Sequence, residues 1–211
     1  MTEYLSKTSY WQALESLPVK ISSPYDHKEF IERTTSAKSI GDERLKLFQL
    51  KFDFTRSSFP LEPGCVINDE TGEYIGMLIC TPKDHHSIIL ARPTRFRGSF
   101  STISRVYGKN PFLRYEAWYS LPKQPTTVTG LTKMKGTNRQ LSCEARSYEL
   151  GCYKVFQFEA SLKTFRINHL SFISGCTVSD ATGSYKCLLL MATSRPQIPV
   201  AITIKERSVN G

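Results

Sequence analysis

Asp84-His85-His86 is the one place in this chain where side chains of catalytic or metal-ligating type stand together. On an extended segment adjacent residues point to opposite faces, so the two imidazoles cannot both turn to one ion, and the cluster reads as a polar loop. His27 and His169 are isolated. The cysteines, at 65, 80, 143, 152, 176 and 187, form no Cys-x-x-Cys pair and have no close histidine, so the paired short spacings of a zinc site are missing. Cys80 follows Met77-Leu-Ile79 and Cys187 precedes Leu188-Leu-Leu190, which suits buried free thiols in a reducing compartment. There is no Gly-x-Ser-x-Gly elbow, phosphate-binding Gly-rich loop with Lys-Ser/Thr, or His-Glu-x-x-His. The expectation is a protein that is not an enzyme and uses no metal and no cofactor.

Charge points instead to recognition. The formal net charge is +9; residues 1–43 hold five basic and seven acidic residues, which leaves +11 for the rest. From Arg92 to Arg139 the basic residues are Arg92, Arg95, Arg97, Arg105, Lys109, Arg114, Lys123, Lys133, Lys135 and Arg139, and the one acid is Glu116. Such a run attracts polyanions, whether nucleic acid, a phosphoprotein or an anionic leaflet. Phe96, Phe100, Tyr107, Phe112, Tyr115, Trp118 and Tyr119 are interleaved with these cations. They could stack on unpaired bases or face a core while the arginines face water; the inward arrangement is expected for Phe112, Tyr115 and Trp118.

The elements that would position these residues read as a short helical arm, 1–43, and a β-rich globular domain, 44–211, an α+β fold class with few helices. In the arm, Ser9-Tyr-Trp-Gln12 has capping-box spacing, and Tyr10, Trp11, Leu14 and Leu17 form an apolar stripe ended by Pro18. That stripe could pack on its own domain or serve as a self-association arm docking on a neighbouring subunit. Asp26-His-Lys-Glu29 offers a second helix start. From Leu45 the apolar period becomes two. Cys65 to Cys80, broken by Asn68-Asp-Glu-Thr-Gly72, reads as a hairpin, and Ser87–Ala91 as a further apolar run. Residues 121–135 read as a long surface loop, rich in Pro, Thr, Gly and Lys. The clearest strand follows Gly151, with Lys154, Phe156 and Phe158 on one face and Tyr153, Val155 and Gln157 on the other. Asp180-Ala-Thr-Gly183 marks a turn before Tyr185–Met191, and Val200–Ile204 alternates once more to close the sheet. No internal repeat stands out. No apolar run approaches the ~20 residues of a membrane span and no secretory leader is visible, so a cytosolic or nuclear protein with peripheral membrane contact is expected.

Three pieces, in order, resemble rhabdovirus matrix proteins. Gly151-Cys-Tyr-Lys154, with Gly151, Tyr153 and Lys154 as the family-like structural motif, is similar to the Gly-Leu-Tyr-Lys stretch in the middle of that family's globular domain. Leu45 to Pro60 resembles its long first strand, and Asn110 to Pro122 its aromatic strand that stops at Leu-Pro. The resemblance implies a compact domain of mixed sheet behind an N-terminal arm, with no enzymatic activity. It also implies a protein that assembles with itself as a homo-oligomer or lattice and condenses the viral nucleocapsid, the nucleoprotein-RNA helix. Further partners would be anionic inner-leaflet lipid and the viral glycoprotein tail, during assembly and budding. Its places would be the virion, the host cytoplasm, the inner face of host membranes and the host nucleus. The chain departs from the family pattern in having only scattered Lys7, Lys20 and Lys28 in the arm, and Ser23-Pro-Tyr25 where a Pro-Pro-x-Tyr motif would stand. The alternative is a basic nucleic-acid-binding viral protein of another class, a coat protein or silencing suppressor, which requires Tyr107, Tyr115 and Trp118 on an open face.

Overall fold

The computed structural model describes residues 5, 8–25, 29–51, 59, 61–80, 87–94, 116–131, 138–161, 163–164, 175–192 and 198–205. The chain forms two compact units, Thr8–Tyr115 and Glu116–Gly211, the latter counted together with Met1–Lys7. Each holds a closed six-stranded antiparallel barrel. The α+β class with a helical arm is therefore not what this chain adopts: among the described residues it is almost all strand.

In the first unit a five-residue helix, α1 (Ser9–Ala13), precedes β1 (Leu17–Tyr25), β2 (Glu29–Gly41), β3 (Lys46–Leu50), β4 (Val66–Asp69), β5 (Gly72–Cys80) and β6 (Ile88–Pro93). Strands β1, β2 and β3 form one meander and β4, β5 and β6 another; pairing of β3 with β6 and of β1 with β4 closes the barrel. Val19, Ile21, Ala37, Phe48, Leu50, Ile67, Tyr74, Ile89 and Ala91 fill the interior, with Phe59 and Cys65. Residues 17–41, read from sequence as part of an arm, thus supply two of the six strands. Val19, Ile21, Ile31, Thr34, Thr35 and Ile40 are β-branched, which favours the extended chain over the second helix expected at Glu29.

The second unit repeats this order. Helix α2 (Glu116–Tyr119) precedes β7 (Gln124–Leu131), β8 (Asn138–Leu150), β9 (Tyr153–Phe158), β10 (Thr177–Asp180), β11 (Gly183–Ala192) and β12 (Pro199–Lys205). The strands close in the same circular order, β7-β8-β9-β12-β11-β10. Two segments differ from expectation. Of the aromatic strand expected before Leu121, the described residues form one helical turn, Glu116–Tyr119, closed by Leu121 N–H donating to Trp118 C=O at 3.1 Å. The surface loop 121–135 contains β7, whose run Thr126-Thr-Val-Thr129 is rich in β-branched residues, with Thr126 and Val128 buried.

Superposing the two orders of strands exposes an internal repeat that the linear sequence hides. Trp11 matches Trp118, and Lys46-Leu-Phe-Gln49 matches Lys154-Val-Phe-Gln157. Gly64-Cys-Val-Ile-Asn-Asp-Glu-Thr-Gly-Glu-Tyr74 matches Gly175-Cys-Thr-Val-Ser-Asp-Ala-Thr-Gly-Ser-Tyr185. Both barrels carry a bulge where Gly-Cys faces one residue of the next strand. Gly64 N–H donates to Gly76 C=O at 2.7 Å and Gly76 N–H to Cys65 C=O at 2.8 Å; Gly175, Cys187 and Cys176 repeat this at 2.7 and 2.8 Å. Gly64 and Gly175 lie at φ 100° and 94°, the left-handed region that a bulge of this type needs in its first residue.

Candidate functional site

The most concentrated polar chemistry in each barrel is a buried lysine anchor. Lys46, Phe48 and Leu50 fall on the inward face of β3, and the tight turn after Asp69 brings Asp69, Thr71 and Tyr74 to the same end. The Lys46 ammonium pairs with Asp69 and donates to Thr71 Oγ1 at 2.9 Å. Thr71 gives its one hydroxyl proton to Asp69 Oδ1 at 2.7 Å, so the Tyr74 hydroxyl, 2.7 Å away, donates to Thr71. Thr71 N–H donates to the same carboxylate oxygen at 2.9 Å. The ammonium also lies 5.3 Å from the Phe48 ring centre and 4.9 Å from that of Tyr74, and the two rings meet edge to face at 5.5 Å.

The second barrel reproduces the constellation with Lys154, Asp180, Thr182, Tyr185 and Phe156. Lys154 pairs with Asp180 at 2.7 Å and donates to Thr182 at 2.8 Å; Thr182 donates to Asp180 at 2.6 Å, and the Tyr185 hydroxyl lies 2.7 Å from Thr182. The ammonium again sits 5.3 Å from Phe156 and 4.9 Å from Tyr185. Burial works to raise both carboxyls, but the lysine and threonine bonds outweigh it and hold Asp69 and Asp180 below the ordinary aspartate value. The side chains of Lys154 and Asp180 retain 5% and 1% exposure, against 10% and 6% for Lys46 and Asp69, so the second anchor is the drier one.

A second shared contact lies on the other face of β3 and β9. Trp11 Nε1–H donates to Gln49 Oε1, and Trp118 Nε1–H donates to Gln157 Oε1, in both cases between buried side chains. Each helix therefore lays its tryptophan over the outside of its own barrel. That places Trp11 within its own unit rather than on a self-docking surface: it is 1% exposed. Tyr10 is 44% exposed, while Leu14 and Leu17 are half-buried. Among the described residues Tyr10 is the one exposed large hydrophobic side chain.

The sequence-predicted cations separate into three groups. Arg92, on β6 opposite Ile75 of β5, is buried, as is Lys154 of the family-like motif. Lys123 is tied to Glu159 at 3.3 Å, and Glu159 also pairs with Arg146, whose guanidinium lies 5.1 Å from the Tyr119 ring centre. Arg139 is exposed on β8. Arg95, Arg97, Arg105, Lys109, Lys133 and Lys135 lie outside the described residues, as do Asp84, His85, His86, Phe112, Tyr107 and Tyr115. Trp118 is buried, as the inward arrangement requires. Gly151 and Tyr153 occupy the β8–β9 turn and the start of β9, Tyr153 buried. Among the described residues no group of three or more His, Cys, Asp and Glu could hold a metal ion, and no helix is long and apolar enough to cross a membrane.

The chemistry of the anchors is structural: each ties a strand to the hairpin turn across the barrel mouth. Sequence reasoning singled out Lys154 but missed Asp180, Thr182, Tyr185 and the whole first anchor. The signal that finds them is the doubled Gly-Cys-x-x-x-Asp-x-Thr-Gly-x-Tyr.

No protein-family model matches this chain, and no curated protein matches it. Among solved structures it is similar to the Bacillus subtilis inhibitor of motility (MotI/DgrA), at 8% identity and a TM-score of 0.30, over 91% of this chain and 88% of that one. A likeness at that level carries no argument about what this chain does.

Proposed function

We propose that this chain is a non-enzymatic binding protein that holds RNA, free or within a ribonucleoprotein, through basic segments whose sequence contains no acid. The observation that carries this reading is the distribution of charge. Lys46 and Lys154 are paired with Asp69 and Asp180 inside their barrels, and Arg146 with Glu159 on the outside of its own. The segments 95–115, between β6 and α2, and 132–137, between β7 and β8, contain Arg95, Arg97, Arg105, Lys109, Arg114, Lys133 and Lys135 and no acid at all. Exposed Arg139 continues the second run. Cations that lack acidic neighbours in sequence are the kind that gain by releasing counterions from a phosphate backbone.

A role beside a viral ribonucleoprotein is the form of this function that the sequence resemblance suggests. Docking between copies through Trp11 does not belong to it, because that ring is taken up by Gln49 and its own barrel.

The test is a titration of the full chain with labelled single-stranded RNA between ~50 and ~500 mM salt, beside vesicles of anionic lipid. Replacing Lys133, Lys135 and Arg139 by Glu removes three cations. The slope of log affinity against log salt is expected to fall by roughly 2, since each single-strand phosphate contact contributes about 0.7. Unchanged RNA binding in the triple variant rejects these residues as the surface, and binding to vesicles alone replaces RNA by a membrane surface.

A further inference from the structure

The two barrels differ at one interior position in a way that creates chemistry in the second. In the first barrel Cys65 faces Gly76 across the bulge, and a Cβ placed on Gly76 would come 2.7 Å from Cys65 Sγ. The glycine leaves room for one thiol and no more. In the second barrel the same two positions are Cys176 and Cys187, joined by Cys187 N–H donating to Cys176 C=O at 2.8 Å. Both side chains belong to the interior apolar cluster and are buried, at 3% and 0% exposure. Facing residues of an antiparallel pair have Cα atoms about 5.5 Å apart, inside the range a disulfide spans.

We propose that Cys176 and Cys187 are an oxidation site, a dithiol that a small-molecule disulfide converts to a disulfide across the β10–β11 hairpin. One cysteine thiolate attacks a sulfur of the oxidant and expels one small thiol, leaving a mixed disulfide. The facing cysteine then displaces the second small thiol. Two electrons pass from the cysteine pair to the oxidant, and the two cysteine protons end on the two released thiols. The contact with Cys176 and burial both push the Cys187 thiol up, so the pair stays reduced and slow while the barrel is closed. Oxidation therefore reports opening of the hairpin, and the bond, once made, holds the turn that carries Asp180 and Tyr185 in place. Cys65, buried with its thiol pushed up to about 12, faces a glycine instead.

The test uses the full chain without denaturant, incubated with oxidised glutathione, quenched in acid, alkylated and digested with trypsin. Lys186 lies between the two cysteines, so trypsin puts them on separate peptides that only the disulfide joins. The expected result is one linked pair, 176 to 187, two hydrogens lighter than the sum of the free peptides, with Cys65 alkylated. Cys187→Gly, which gives the second barrel the first barrel's pair, should keep the circular dichroism spectrum and lose the link. If that variant fails to fold, the peptide map of the unaltered chain decides alone. Recovery of Cys176 and Cys187 as alkylated thiols while other cysteines oxidise, or as two separate glutathione adducts, overturns the proposal.

Discussion

The two barrels are built on one plan and finished differently. Both hold a lysine over two aromatic rings, an aspartate at a hairpin turn, a threonine between them and a tryptophan bonded to a glutamine on the outer face. Around this shared interior the surface has diverged. Where the second barrel has Arg146 pairing with Glu159 and lying against Tyr119, the matching residues of the first are Lys38 and Lys51. Lys38 there donates to the C=O of Trp11 and of Gln12, at 3.2 and 2.8 Å. A cation at this position holds the helix before the first strand in both barrels, by a different bond in each. The difference teaches that what a barrel needs in order to close is concentrated in a few interior residues, and that charge on the outside is free to vary.

The comparison breaks most visibly at the anchors. Removing one partner of a buried ion pair leaves the other charge uncompensated, at a cost of about 3–5 kcal/mol. Asp180→Ala should approach the upper end, because its pair is the drier one, and Asp69→Ala should cost less; denaturant unfolding of the full chain measures both. Replacing the whole second pair, Lys154→Met with Asp180→Leu, should recover most of that loss.

A second effect is on acid stability. Both aspartates titrate below the ordinary value of 3.8 in the folded chain, so each contributes stability that is present above that value and is lost as pH falls through the lower folded one. Asp69→Asn and Asp180→Asn should each flatten the acid limb of a melting-temperature profile between pH 5 and pH 2, a window of about that width being expected for such a shift. An unaltered acid limb would place the acid sensitivity in other carboxylates.

The bulges give a smaller change. No atom stands within 4 Å of a Cβ built on Gly64 or Gly175, so alanine there meets no clash and only the backbone conformation opposes it. Each Gly→Ala should cost about 1 kcal/mol, by the same amount in the two barrels. Least of all, Glu159→Gln removes the pairs with Lys123 and Arg146, both made by a carboxylate side chain that is 33% exposed, and should change stability by less than about 1 kcal/mol.

Much of the strand content was legible: β3, β9 and β12 lie where apolar residues recur every second position, and β4, β5, β6 and β11 in the hairpin and the apolar runs bounded by turn signals. On β9, however, all six side chains are buried, because α2 lays Trp118 over its outer face at Gln157. Period-two reasoning anticipates one buried face and cannot see a helix arriving on the other. Residues 17–41 misled for a related reason. The apolar signal around Trp11 belongs to a real but five-residue helix, capped by Thr8 rather than Ser9, and extending it across Ser22-Ser-Pro-Tyr25 overlooked the β-branched run that follows. The repeat escaped notice because its identities are sparse and their spacing drifts. Trp11 and Trp118 are 107 positions apart, Lys46 and Lys154 108, and Asp69 and Asp180 111. Lys154 drew attention through a family resemblance, yet the stretch it opens has a counterpart within the same chain, at Lys46. As for the proposed binding surface, composition alone points to it, and the pairing of Lys46, Lys154 and Arg146 sets those three cations apart from it.

The central claim, that the chain is one barrel plan used twice with the same anchor in each copy, is tested most directly by hydrogen exchange on the full chain carrying Asp69→Ala or Asp180→Ala. Amide protection should fall in β3, β4 and β5 for the first substitution and at the matching positions of β9, β10 and β11 for the second, with the other barrel unchanged each time. Equal loss in both barrels from either substitution, or no loss around the altered turn, would contradict it.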